Sequence, residues 1–212
     1  MNIALIGASG FIGSGLLQEA LARGHRVRAL VGRPERLTPH PALAAVRVDV
    51  ADTAALAAQL AGQDAVISAY SGHAHDDVRA AYVRGFASIV AAVKQAGVPR
   101  LLVVGGAGSL EVAPGVQVVD APDFPAQWKG SALGARDALL MLRAEPALAW
   151  TMLSPPALIQ PGERTGRFRL GGDQLLVDAQ GKSLISVPDY AVAMIDELER
   201  PAHPRARFTV AY

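Results

Sequence analysis

Gly7, Gly10 and Gly13 stand three apart in the stretch LIGASGFIGSG, after an apolar run and before a helical pattern. That order suits the gripping of a pyrophosphate. The first glycine permits a tight turn out of a strand, and the second lets backbone N–H groups approach the phosphates. The third lets the following helix pack close to the sheet, with its positive end toward the anion. Gly7, Ser9, Gly10, Phe11, Ile12 and Gly13 are the residues this places around the phosphates. The spacing is GxxGxxG, one residue longer than the GxGxxG fingerprint, so the loop is slightly wider. The bland alternative is a tight turn that holds nothing; a strand before and a helix after favour the dinucleotide.

The end of the second strand decides which dinucleotide. An acid about twenty residues past the glycines would bind the ribose of NAD. VRALVGRPERL has no acid before Glu35, and it places Arg33 and Arg36 at or just beyond the strand tip. A guanidinium there can pair with a 2′-phosphate through its planar fork of donors, which predicts NADP(H) in preference to NAD(H). Asp49 ends the third strand, with Val50 beside it. Its carboxylate can accept from an adenine amino group or serve as an ordinary turn aspartate.

The elements that must position these residues alternate. Apolar runs at 2–6, 26–31, 44–50, 64–70, 100–106 and 149–155 read as strands, the first with the look of one buried on both faces. Helices are expected at 11–23, 53–61, 76–96, 131–144 and from Ser186 to Glu199, the last opened by a capping-box-like Ser186 and Asp189. Residues 107–130 read as a long functional loop, 164–178 as a hairpin around Gly171 and Gly172, and RARFTVAY as a closing strand. Such βαβ units imply a mostly parallel, doubly wound α/β sheet with ligands at the carboxyl ends of its strands. Ala69 and Tyr70 after the fourth strand, Gly105, Gly106 and Ala107 after the fifth, and Pro155 after the sixth should therefore join the glycines in one crevice.

Composition narrows the partners. The 212 residues fit one domain, 1–212; a net charge of +1 offers no basic field for nucleic acid, and the absence of cysteine removes disulfides, zinc–thiolate sites and thiol nucleophiles. No apolar stretch reaches spanning length, and the N-terminus enters a strand at once, so a cytoplasmic protein without membrane contact is expected. Monomer and homodimer are both compatible with the sequence.

GASGFIGSG, ALVGRPERL, the strand-three DV, DAVISA, RLLVVGGAGS and SPPALI together resemble the atypical short-chain dehydrogenase/reductases. Within them the chain is most similar to the NmrA-like NAD(P)H-binding group that includes flavin reductase and biliverdin-IXβ reductase. The resemblance spans nearly the whole chain. It implies a Rossmann-like domain, NADP(H) binding and a small C-terminal substrate region, with 107–130 and 155–187 as substrate-side insertions. The chain departs from the family at the proton donors. Dehydrogenase members use a Tyr-x-x-x-Lys pair after strand five, yet no tyrosine lies between Tyr82 and Tyr190, and Trp128 and Lys129 occupy that neighbourhood. Gly32 stands at the family's arginine position with Arg33 one place later. The flavin-reductase serine falls at Ala107, with Ser109 two residues on, and its histidine at Ala157.

Hydride transfer to a flavin or quinone asks little of the protein beyond stacking the acceptor, and solvent can deliver the proton. Tyr70 and Ser109 are the candidate catalytic residues: Tyr70 to stack or donate a hydrogen bond, or to cap the core; Ser109 to hold a substrate oxygen, or only the backbone. Trp128 and Phe124 can cover the nicotinamide or pin the long loop. His73 and His75 tempt a metal reading, but surface loop and helix start explain them better, and no metal site is assigned; lying past strand four, either can also serve as a proton donor. Three functions follow: an NADPH-dependent oxidoreductase acting on a small planar acceptor, a non-catalytic NADP(H)-binding redox sensor, or an epimerase-like enzyme.

Overall fold

The computed structural model describes residues 1–212. Strands β1 (Asn2–Ile6), β2 (Arg26–Val31), β3 (Leu43–Arg47), β4 (Ala65–Ser68) and β5 (Arg100–Val104) alternate with helices α1 (Phe11–Ala22), α2 (Thr53–Leu60) and α3 (Val78–Ala96). Two short strands follow, β6 (Glu111–Ala113) and β7 (Val116–Gln117), then α4 (Ala126–Arg143) and β8 (Ala149–Ser154). The chain closes through β9 (Leu158–Gln160), β10 (Arg169–Gly171), β11 (Leu184–Ser186), α5 (Val187–Glu199) and β12 (Ala206–Ala211).

The main sheet has eight strands in the order β10-β12-β8-β5-β4-β1-β2-β3, all parallel except β10, which runs antiparallel along β12. This is the Rossmann-like α/β fold. Strand order reverses between β1 and β4, so the loop after β1 opens at the switch point where such sheets bind ligands. Side chains alternate across the sheet, as a pleated strand requires. Ile3 and Leu5 of β1 pack with Leu16, Tyr190 and Met194 beneath α1 and α5, whereas Ala4 and Ile6 pack with Leu56, Phe86 and Ile89 beneath α2 and α3. No helix is long and apolar enough to cross a membrane.

Helix α1 is braced by α5. A β-carbon on Gly15 would lie 2.4 Å from Val187 Cγ1, so only glycine permits this approach. Polar contacts extend the brace: Glu19 accepts two bonds from the Arg164 guanidinium (both 2.8 Å), and Arg23 bridges Glu19 to Asp196 (2.7 Å each).

The structure departs from the expected elements in three places. Helix α4 begins at Ala126 rather than residue 131, with Pro125 at its N-cap; the Gly- and Pro-rich run before it hides this start. Residues 107–125 are not featureless but carry β6, β7 and 3₁₀ turns at Ala107–Ser109 and Val118–Asp120. The expected hairpin around Gly171 and Gly172 does not close on itself. Its first arm is β10, paired with β12, and its second runs beside Glu111, which donates to the Asp173 carbonyl and accepts from the Leu175 amide (both 2.9 Å). Alternation marks a strand without naming its partner, and here the open edge of β12 is the better one.

Candidate cofactor-binding site

Sheet order sets the order of residues along the crevice. The carboxyl ends of β3, β2, β1, β4, β5 and β8 lie side by side. Asp49 and Val50, then Arg33 and Arg36, the glycine loop, Ala69 and Tyr70, Gly105–Ala107 and Pro155 therefore follow one another along one edge.

The glycine loop turns tightly out of β1. Gly7 is left-handed (φ +80°), and its amide donates to the Leu30 carbonyl at 3.0 Å. A β-carbon there would meet the Ala69 carbonyl oxygen at 2.7 Å, which brings the loops after β1 and β4 into contact. The Gly10 amide donates to the Gly7 carbonyl (3.0 Å), and the Ser14 amide to the Gly10 carbonyl (2.9 Å). The first-turn amides of Phe11, Ile12 and Gly13 therefore have no backbone acceptor. Helix α1 has no side-chain cap and no acid in its first turn. A positive helix end with free donors and no carboxylate in the way is a cradle for an anion, and Ser9, Gly10 and Phe11 are exposed at its rim.

Beyond β2, Arg33 and Arg36 flank a 3₁₀ turn (Pro34–Arg36) and are exposed. The acid between them, Glu35, faces Arg47 at 3.6 Å, and neither Arg33 nor Arg36 is in an ion pair. After β3, the Asp49 carboxylate accepts from the Ala51 amide at 2.9 Å, the turn role that the sequence allowed. The Val50 carbonyl accepts from Ser88 Oγ on α3 at 2.6 Å, which fixes this corner of the crevice.

At the opposite end, the Ala69 amide donates to the Ile6 carbonyl (2.9 Å) and the Gly105 amide to the Leu153 carbonyl (2.8 Å). Pro155 is buried directly after β8. Tyr70 leans on α3: its hydroxyl donates to the Ala81 carbonyl at 3.2 Å, and its ring fills the space a β-carbon on Gly85 would need. Burial pushes its phenol above the ordinary range, and nearby Asp49 adds to this, against Arg84. Ser109 is only 3% exposed. Its hydroxyl accepts from the buried Arg207 guanidinium at 3.5 Å, which also donates to Ser154 Oγ (3.4 Å) and is paired with Asp173. Both hydroxyls are thus engaged in fold contacts. His73 sits edge-on to Trp128, and no third acidic or histidine side chain gathers with it into a metal-sized cluster.

The placement of Trp128 on a helix was missed from the sequence. The signal was present: Trp128, Ala132, Ala135, Leu139 and Leu142 step by helical intervals along one face of α4. A cavity of about 640 Å³ opens at the amino ends of β2 and β3 between Arg26, Arg28 and Leu43. It shares no residue with the glycine loop.

A sequence profile of the NAD(P)H-binding family matches residues 7–201. The chain belongs to that family. Among relatives of this NAD(P)H-binding chain, the YwnB protein of Bacillus subtilis is 39% identical over 99% of this chain and 98% of its own. A candidate epimerase from Bacteroides thetaiotaomicron superposes with a TM-score of 0.94 at 43% identity, covering 100% of this chain and 96% of the other. A candidate NADH-flavin reductase from Streptococcus pneumoniae superposes with a TM-score of 0.87 at 33% identity, covering 100% and 99%. The glycine cradle, the exposed rim and the uncapped α1 fit a dinucleotide, so the residues present agree with the family's cofactor.

Proposed function

We propose that this protein is an NADPH-dependent oxidoreductase that reduces a flat acceptor such as a flavin or quinone. The observation that carries the reading is a dinucleotide cradle in a crevice whose two candidate hydroxyl donors are both engaged: Tyr70 is tied to α3 and Ser109 is buried. When bound, the reduced nicotinamide would supply a hydride to the acceptor, and solvent water the one proton that completes the two-electron reduction. The amides of Phe11, Ile12 and Gly13 would hold the pyrophosphate, and Arg33 and Arg36 would pair with the 2′-phosphate and so favour NADP(H) over NAD(H). The loops after β4 and β5 would border the nicotinamide. A carbonyl substrate would need a positioned acid, and neither the Tyr70 nor the Ser109 hydroxyl is free to be one, whereas a flavin or quinone takes its proton from water. The NADH-flavin reductase name of the Streptococcus pneumoniae relative supports a flavin as acceptor and is silent on NADP(H).

The engaged hydroxyls also favour a second reading, an NADP(H)-binding sensor that turns nothing over. One experiment separates the two. NADPH consumption is measured with FMN, a soluble quinone and a redox dye, while calorimetry follows cofactor binding. Cofactor-tight protein that consumes NADPH with at least one acceptor supports the oxidoreductase. Binding of both NADPH and NADP⁺ with no consumption leaves the sensor.

A further inference from the structure

The sheet-facing stripe of α4 runs on past the sheet. Ala132, Ala135, Leu139 and Leu142 are 8%, 4%, 2% and 0% exposed, but Trp128, one turn nearer the helix start, is 55% exposed. Below Ala135 lies Gly106, where an added β-carbon would come within 2.9 Å of the Ala135 methyl; below Ala132 lies Gly108, at 2.7 Å. One turn further no strand remains, because β5 has ended at Val104 and the chain has turned at Ala107–Ser109. The stripe thus carries its smallest residues where packing is tightest and its largest, half-exposed, beyond the end of β5. The first turn of α4 also touches the start of α3, with Gly130 facing the Val78 side chain. That contact carries the indole toward the loop after β4, where the His73 ring stands 6.5 Å away at 86°.

We infer that Trp128, flanked edge-on by His73, is the aromatic wall of a subsite for a flat, ring-containing acceptor at the carboxyl end of β5. The inference rests on the oxidoreductase reading for its position beside the nicotinamide end of the crevice. A half-exposed indole with a second ring perpendicular to it offers a flat surface for offset stacking. An aliphatic or strongly hydrated substrate would gain little from it. The chain's other tryptophan, Trp150, is 3% exposed in the core and takes no part.

FMN without nicotinamide cofactor is the first probe. Titrated into the protein, it should quench tryptophan emission saturably. The quench should vanish in Trp128→Leu, whose remaining Trp150 emission also corrects for light absorbed by the flavin. With NADPH present, Trp128→Leu should raise the KM for FMN about tenfold. Trp128→Phe, which keeps an aromatic face, should stay within a few-fold. NADPH affinity by calorimetry should be unchanged in both, and their thermal midpoints should match the parent protein. Wild-type turnover with FMN but without quenching would place the acceptor elsewhere and overturn the subsite, leaving the oxidoreductase intact. Loss of NADPH affinity in Trp128→Leu at unchanged KM for FMN would overturn it too, by making Trp128 a cover for the cofactor. Saturable, Trp128-dependent quenching in a protein that never consumes NADPH would support the subsite and sink the oxidoreductase.

Discussion

A methyl group placed on Gly13 would fall 2.0 Å from the carbonyl oxygen of Gly7. Neither partner is a flexible side chain, so the clash can be relieved only by moving the loop after β1 or the start of α1. Gly13→Ala should therefore lower NADPH affinity at least about tenfold and cost roughly 1–3 kcal/mol of stability. Calorimetry and urea denaturation check the two effects. Gly172→Ala, where a β-carbon meets nothing within 4 Å, is the control and should change neither. Wild-type affinity in Gly13→Ala would refute the cradle.

Arg33 and Arg36 stand exposed and outside any ion pair at the crevice edge. Charge-assisted pairing with a 2′-phosphate is worth about 1.5–3 kcal/mol. The wild type should accordingly bind NADPH roughly 10–100-fold more tightly than NADH, and the double variant Arg33→Ala/Arg36→Ala should bring the two together. The preference should also shrink as salt is raised, since both guanidiniums are open to solvent. Matching wild-type affinities would dismiss the arginine argument.

The Tyr70 hydroxyl donates to a carbonyl of α3, so its removal should be felt in stability. Tyr70→Phe is expected to lose about 0.5–1.5 kcal/mol and to keep turnover with FMN within a few-fold. A hundredfold fall in kcat at unchanged melting temperature would instead make the phenol a proton donor.

Arg207 and Asp173 form an unequal pair, with side chains 2% and 54% exposed. Asp173→Ala leaves a guanidinium buried against two serines and should cost about 3 kcal/mol. Arg207→Met leaves a carboxylate that water can solvate, so it should cost less. Denaturation midpoints of the two variants give the order directly; the reverse order would mean that the serine contacts, not the charge, hold the segment after β5.

Asp189 is fully buried. Burial pushes its carboxyl up, but bonds from the Thr165 hydroxyl, the Gly166 amide, the Tyr212 hydroxyl and the Thr165 amide outweigh this and hold it below the ordinary range. In Glu19 the Arg164 guanidinium, helped by Arg23, likewise outweighs burial and lowers the carboxyl. A group depressed by folding stabilises fully above its unfolded value and loses that contribution as pH falls through the folded one. Stability should therefore decline below about pH 4. Asp189→Asn should cost roughly 2–4 kcal/mol at neutral pH and flatten part of that acid slope. Urea titrations at stepped pH would show it, and an unaltered slope would exclude Asp189 as a source.

The alternation of β1 to β5 with α1 to α3 was legible because each strand is a short apolar run stopped by glycine or charge, and each helix repeats its apolar residues on one face. Gly7, Gly10 and Gly13 were legible from spacing because the turn and the close helix approach depend on local geometry alone. What stayed hidden depended on distant partners. The burial of Ser109 follows from Arg207, almost a hundred positions away in the chain. The orientation of Tyr70 follows from the bare backbone at Gly85, which reads as an unremarked helical glycine until the ring is placed on it. The pairing of β10 with β12 depends on which sheet edge is open, and no alternation pattern carries that information.

The close seat of Gly15 against Val187 has a consequence for synthesis. Helix α1 leaves the ribosome before α5, so the surface it leans on is made only after the intervening strands and helices. Until α5 is made, the glycine turn and α1 lack that support, so their close seat forms only once this later segment has folded.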